Sequence, residues 1–365
     1  MSAGNQFRGR SISIVNDLSI DEQRYLYRKA KELKEAAREN STTLENFRIR
    51  RSDYSAYLIF LENSTRTRES FKNAAEFHQV RVNMFDSATS SFAKNESITD
   101  TIKMLVGYSP ESCFIIRSKL EGTCTWLDYH IGAWAAEHGH SKPSFINAGD
   151  GKHEHPTQEF LDEFTFLEHQ QWNTSAIHVA LIGDLYHGRT VHSKADGLRI
   201  FDKVTVDLVA PAELGMPNYY IDKMKQNGFT VRVFSSLDEY LASGKTASIW
   251  YFTRLQLERM GESVLDKAPI LRKSVTFRQD MTGKLEPGTR FYHPLPRDRL
   301  NPVIPTFLDN TPLNGWDDQS ANGYYTRIIE MALCAGHLGA DFSGTRHTEP
   351  VFEDDFIRET PVVQH

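Results

Sequence analysis

The chain has 365 residues, 42 Lys and Arg against 48 Asp and Glu, and a formal charge of −6, with 39% hydrophobic and 25% charged residues. That length exceeds the usual reach of one hydrophobic core and predicts two domains of comparable size, while the composition is that of a soluble globular protein and excludes a disordered or fibrous one. The slightly acidic balance leaves no electrostatic footprint for nucleic acid, so any anionic ligand must be held by a few placed cations. No apolar stretch approaches the roughly 20 residues that span a bilayer. The polar N-terminus carries Arg8 and Arg10 with no apolar segment after them, so a cytoplasmic protein without a signal peptide is expected. Cys113, Cys124 and Cys334 are odd in number and widely spaced, which argues for reduced structural thiols rather than disulfides or a zinc ribbon.

In chain order, Leu18, Tyr25, Leu26, Ala30, Leu33 and Ala37 recur at helical spacing behind Asp21 and Glu22, predicting an opening helix from Ser19 to about Asn40. A strand follows over Ala56 to Leu61, then a helix from about Ser64 to His78. The same grammar returns: Ser112 to Ile116 runs into Arg117, His178 to Ile182 into GDLYHGRT, Ser248 to Phe252 into TRLQLER, and Arg290 to Tyr292 into HPLPR. Strands alternating with helices predict an α/β protein with parallel sheets covered by helices on both faces. The polar motifs fall just past the carboxyl ends of the strands, where open α/β sheets bind ligands. Their spread over both halves predicts a site at the domain boundary. Residues 340 to 365 are rich in Asp and Glu and read as a solvated, partly ordered extension.

Ser64-Thr65-Arg66-Thr67-Arg68 places three hydroxyls and two guanidinia in the first turn of a helix, where free N–H groups and the dipole attract anions. A phosphate cradle and an N-capping Ser64 with solvated arginines are equally consistent with these five residues. A single His155 beside Pro156 reads by itself as a hydrogen-bonded turn residue. His153 and His155 form an H-x-H pair without further clustered ligands, so no metal site is expected. Gly183 and Gly188 sit in a glycine-containing turn, yet GxGxxG is absent, which disfavours a nucleotide cofactor.

FLENSTRTRESF, followed in order by TSSFAKNESITDTI, HPTQEFLDEF, GDLYHGRTVHS with TRLQLER, and HPLPR, resembles the transcarbamoylase family from about residue 11 to residue 338. HPLP and the lysine-containing segment are similar to its aspartate branch; ornithine enzymes typically carry HCLP and lack that lysine. The resemblance implies two doubly wound parallel-sheet domains with the active site in the cleft between them. Residues 1–160, completed by a C-terminal helix at about 322–340, would bind carbamoyl phosphate, and 161–321 would bind aspartate, with 341–365 an acidic extension. It implies transfer of the carbamoyl group to the amine of L-aspartate, with no cofactor and no metal.

Carried over residue by residue, the resemblance gives Ser64, Thr65, Arg66 and Thr67 the phosphate, Thr67 also reaching the carbonyl oxygen, and makes Arg117 the bridge between phosphate and carbonyl. His155 would donate to the carbonyl oxygen as it becomes an oxyanion, and Gln158 would accept from the carbamoyl amide. Arg189, Arg254 and Gln256 would take the aspartate carboxylates, a task suited to the Arg fork, with Pro294 and Leu295 offering backbone carbonyls. Ser90 and Lys94 would reach into the site of a neighbouring subunit, implying a homotrimer with shared active sites. Here Phe92-Ala93 precede the lysine and Asn95 replaces the usual glycine. Glu62, Glu258 and Arg259 match salt-bridge positions between the closing domains. Another amine acceptor such as ornithine, or a catalytically silent assembly partner, are the rival readings. A separate regulatory chain would leave no trace in this sequence.

Overall fold

Two parallel sheets organise the chain, and the computed structural model describes residues 5–86, 97–257 and 266–347. Contacts divide it into one unit of residues 1–164 with 322–365 and a second of residues 165–321.

In the first unit β1 (Tyr54–Phe60), β2 (Arg81–Asp86), β3 (Glu111–Ser118) and β4 (Ser144–Asp150) stand in the order β2-β1-β3-β4, all parallel. Every residue of β1 and β4 is buried, the pattern of strands covered on both faces. Helices α1 (Ile20–Arg38), α2 (Thr65–Phe77), α3 (Ile98–Val106), α4 (Thr123–Glu137) and α5 (Pro156–His169) alternate with them. Tyr57, Ile59, Phe114, Ile116 and Phe145 meet Ile102, Leu105, Leu127 and Ile131 in the core. The opening helix begins with a capping box in which Ser19 and Glu22 satisfy each other's backbone N–H groups, one of the ways a helix start hides its orphan donors.

The start of the acidic tail is largely exposed and is anchored by a few contacts. Phe342 packs edge-on against Phe7 and Tyr25 at 5.6 and 5.4 Å, and Asp341 pairs with Lys29 at 3.1 Å and accepts from Tyr25. Thr345 bonds Ser19 and Asp21. Apolar burial by one phenylalanine, invisible in the acidic composition, docks the segment to α1.

The second unit orders β5 (Ile177–Ile182), β6 (Val204–Val209), β7 (Thr230–Phe234), β8 (Ile249–Phe252) and β9 (Arg290–Tyr292) as β7-β6-β5-β8-β9, again all parallel. Its helices are α6 (Arg189–His192), α7 (Lys194–Gly197), α8 (Asn218–Gln226), α9 (Leu237–Ala242) and α10 (Ala268–Val275), together with the first turns of α11 (Trp316–Cys334), whose remainder belongs to the first unit. The boundaries 164/165 and 321/322 fall inside α5 and α11. Trp250 stacks on Phe291 at 5.3 Å, and Phe277 meets Phe291 edge-on.

The predicted strand-helix alternation and parallel, doubly wound sheets are found. Strands β2, β4, β6 and β7 are additional to the predicted ones. Strand β7 is half exposed, and β2 and β4 interrupt their apolar residues with Asn83, Asn147 and Asp150, so neither gives an unbroken apolar run. All three cysteines are buried and free, and among the described residues no helix is long and apolar enough to cross a membrane.

Candidate active site

In the first unit the sheet order reverses between β1 and β3, which opens a crevice at their carboxyl ends. Glu62, just after β1, and Arg117, near the end of β3, pair across this point at 3.0 Å. Arg117 also donates to the Ala148 carbonyl of β4 at 3.0 Å, so three strand ends fix its guanidinium. Glu62, which the resemblance also placed in a link between closing domains, thus pairs with an arginine of its own unit. Ser64 stands at the N-cap of α2 with extended backbone, yet its hydroxyl makes no capping bond. The simple capping alternative is therefore not adopted. Thr65 and Arg66 are exposed beside it and Thr67 is buried, an arrangement suited to an anion at a helix start.

Strand β4 delivers His155 through Asp150. One Asp150 oxygen accepts from the Glu154 N–H at 3.1 Å and the other from the Gly122 N–H at 2.8 Å and from His153 at 3.3 Å, tying the exits of β3 and β4 together. Burial raises the Asp150 carboxyl, but hydrogen bonds from His153, Asn147 and the Glu154 N–H outweigh it and hold the group below its ordinary value. Burial disfavours the His153 cation in turn, yet Asp150 with Glu154 and Glu121 pushes it up to about 9. His153 is thus the ion partner of Asp150. Among the described residues no cluster of three or more His, Cys, Asp or Glu could hold a metal.

His155, itself buried, turns Nδ1 toward the Thr157 hydroxyl at 3.3 Å. When that hydroxyl donates to Nδ1, the ring carries its proton on Nε2, the form that can donate to an oxygen. Gln158, buried on the next turn of α5, donates from Nε2 to Asp162 Oδ1 at 2.8 Å.

In the second unit the order reverses between β5 and β8. Asp184, fully buried just after β5, accepts the His187 N–H at 2.9 Å and faces its Nδ1 at 3.1 Å. Across the reversal it accepts the Gln256 N–H at 2.9 Å. Gln256 returns a bond from Nε2 to the His187 carbonyl at 3.3 Å, and Thr253 donates to the Ile182 and Asp184 carbonyls at 3.3 and 3.2 Å. The loop bearing Arg189 and the loop bearing Arg254 are joined, and both arginines are half-buried. Gly183 has φ +116°, and a Cβ there would run into the Thr253 carbonyl oxygen, so glycine is required for the approach. His293 accepts from the Leu295 N–H at 2.8 Å and fixes the turn of Pro294 and Leu295.

Two cavities of about 850 and 520 Å³ in this unit share Gly288 and Arg290 at the amino end of β9, and none of the candidate residues lines them. They lie away from the motif-bearing strand ends. Ser90 and Lys94, like Glu258 and Arg259, lie outside the described residues. Asp150, Asp162, Thr157, His187 and above all Asp184 were not among the residues predicted for the site. A signal was present, because Gly149-Asp150 and Gly183-Asp184 are both GD pairs that follow mainly apolar segments.

Both units are thus open parallel α/β sheets whose polar loops gather at strand-order reversals, the class that binds small ligands at strand carboxyl ends. Residues 10–168 match the family model of the aspartate/ornithine carbamoyltransferase carbamoyl-P binding domain. Protein PyrBI of Treponema denticola is 56% identical over 98% of this chain and 68% of its own length. The aspartate carbamoyltransferase catalytic subunit of Methanosarcina barkeri is 31% identical over 90% of this chain and 98% of that protein. A crystal structure of aspartate transcarbamoylase from Trypanosoma cruzi with carbamoyl phosphate and aspartate is 25% identical, with a TM-score of 0.74 over 90% of this chain and 97% of the other. The chain belongs to the aspartate/ornithine carbamoyltransferase family.

Proposed function

We propose that this protein transfers the carbamoyl group of carbamoyl phosphate to the amino group of L-aspartate, giving N-carbamoyl-L-aspartate and phosphate as a step of pyrimidine biosynthesis. The observation that carries the reading is the uncapped start of α2, where Ser64, Thr65 and Arg66 stand ready for an anion. The likeness to the Methanosarcina catalytic subunit supports the acceptor.

In this reading residues 1–160 with the C-terminal helix bind carbamoyl phosphate and residues 161–321 bind aspartate. Ser64, Thr65, Arg66 and Thr67 hold the phosphate, and Arg117 reaches phosphate and carbonyl. The uncharged amine attacks the carbamoyl carbon, the new C–N bond forms as the C–O bond to phosphate breaks, and the amine proton leaves with the phosphate. No protein nucleophile is required. Donation from His155 Nε2 meets the charge developing on the carbonyl oxygen, an effect worth about 3 kcal/mol of barrier for one well-placed donor. Gln158 accepts from the carbamoyl NH₂. Arg189, Arg254 and Gln256 take the aspartate carboxylates, and the Pro294 and Leu295 carbonyls accept from the amine and amide N–H groups. Repulsion between the two anionic substrates is offset by these cations, and positioning supplies on the order of 7 to 11 kcal/mol.

Ser90 and Lys94 complete the site from an adjacent copy, making the working form a homotrimer. The test is formation of a ureido product from carbamoyl phosphate with a panel of amine acceptors, alongside mass by size-exclusion light scattering. Turnover with aspartate alone by a particle of three chains is expected; turnover with ornithine in its place, or binding without turnover, overturns the proposal.

A further inference from the structure

We propose that Asp162 sets which way round the Gln158 amide stands, and that this makes the site choose a carbamoyl over an acetyl group. The inference rests on the reading above that Gln158 meets the carbamoyl NH₂.

A carboxylate offers only acceptor lone pairs, whereas a glutamine amide offers a donor on one side and an acceptor on the other. Asp162 lies one helical turn after Gln158 on α5, fully buried, with Oδ1 at 2.8 Å from the amide nitrogen. The side of Gln158 that faces Asp162 must therefore be the NH₂, and Oε1 is left on the opposite side. Nothing in a lone glutamine fixes this choice, since its two ends have nearly the same shape.

A buried positive charge on α11 interacts electrostatically with Asp162 and, more strongly, with Glu330. Arg327, buried on α11, lies over the Phe71 ring of α2 at 5.1 Å. Burial draws its guanidinium down to about 10, against the charges of Glu330 and Asp162, which favour the protonated form. Arg327 thus remains a cation throughout the neutral range.

The consequence for selectivity follows from the two ligands. Carbamoyl phosphate presents an NH₂ where acetyl phosphate presents a methyl group of nearly the same size. Oε1 turned to the ligand accepts from the NH₂ and loses its partner when a methyl takes that place. A glutamine turned round would set donor against donor. Sites built to bond a polar group reject the analogue lacking it far better than apolar pockets resolve size.

The experiment compares wild type, Asp162→Leu, Gln158→Leu and the double variant Asp162→Leu/Arg327→Met by titration calorimetry with carbamoyl phosphate, acetyl phosphate and inorganic phosphate. The double variant removes the buried cation together with Asp162 and leaves Glu330, whose carboxyl burial pushes up to about 8, mostly neutral beside the vacated position, so that no buried charge is stranded at neutral pH, and it decides the matter if the single variant does not fold. In Asp162→Leu or the double variant the preference for carbamoyl over acetyl phosphate is expected to fall about tenfold, the scale of one buried hydrogen bond, with inorganic phosphate binding unchanged. Equal weakening of all three ligands would mean a merely structural role and overturns the proposal. A preference kept without Asp162 but lost in Gln158→Leu overturns it while sparing the role of Gln158. A preference kept in Gln158→Leu overturns that role as well.

Discussion

Asp184 accepts the backbone N–H of Gln256 at 2.9 Å, a bond between residues 72 apart that closes the reversal between β5 and β8. Because the same carboxylate holds His187, one buried group sets both loops of the proposed aspartate subsite. Asp184→Ala should raise the KM for aspartate at least about tenfold, with carbamoyl phosphate within about twofold, and cost about 2–4 kcal/mol of stability by orphaning buried donors. Initial rates with each substrate varied in turn, beside urea melts, measure both. Equal loss for the two substrates would contradict the division of labour between the units.

Arg254 and Arg66 offer a reciprocal pair. Arg254→Ala should lose aspartate by about 100-fold or more while leaving carbamoyl phosphate binding intact, and Arg66→Ala should do the reverse, since each removes a charged bond to one ligand. Equilibrium titration with carbamoyl phosphate and steady-state KM for aspartate decide the matter.

A site shared between copies predicts complementation. Lys94→Ala and Arg254→Ala, each nearly inactive, should regain activity when mixed and exchanged, because some hybrid sites receive an intact lysine from one chain and an intact arginine from another. Absence of recovery after exchange is verified by mass would sink the shared site.

The Asp150–His153 pair makes stability depend on pH in a defined direction. His153 rises from 6.5 to about 9 on folding, so its contribution is full below about 6.5, declines as pH rises from there, and is lost above about 9, on the order of 3 kcal/mol. Asp150 is lowered, so its share is present above the ordinary carboxylate range and lost as pH falls through its folded value. His153→Asn should therefore be less stable than wild type near pH 6, with the gap closing by pH 10 in urea melts. A gap that does not change with pH would contradict the ion pair.

Gly183→Ala places a methyl on a backbone at φ +116° and against the Thr253 carbonyl. Backbone cannot yield as a flexible side chain can, so a loss of about 2–4 kcal/mol is expected. Thermal unfolding of the purified variant reads it directly.

Much of this was legible in the order of residues. The apolar runs Ser112 to Ile116 and His178 to Ile182, each followed by polar loops and helices, fixed strand type and the edge where ligands gather, because parallel strands buried on both faces need continuous apolar side chains. Motif order and the STRTR turn carried the family. Strands β2 and β7 stayed hidden because polar or half-exposed edge strands take their identity from the neighbour they bond. Only the tertiary structure decided that Glu62 meets Arg117, that Asp184 meets Gln256, and that Phe342 docks the tail on Phe7 and Tyr25. Each joins residues dozens or hundreds apart, and no local propensity specifies such a partner: it is chosen when strand order brings two loop ends together and burial makes an unsatisfied carboxylate or an exposed ring costly.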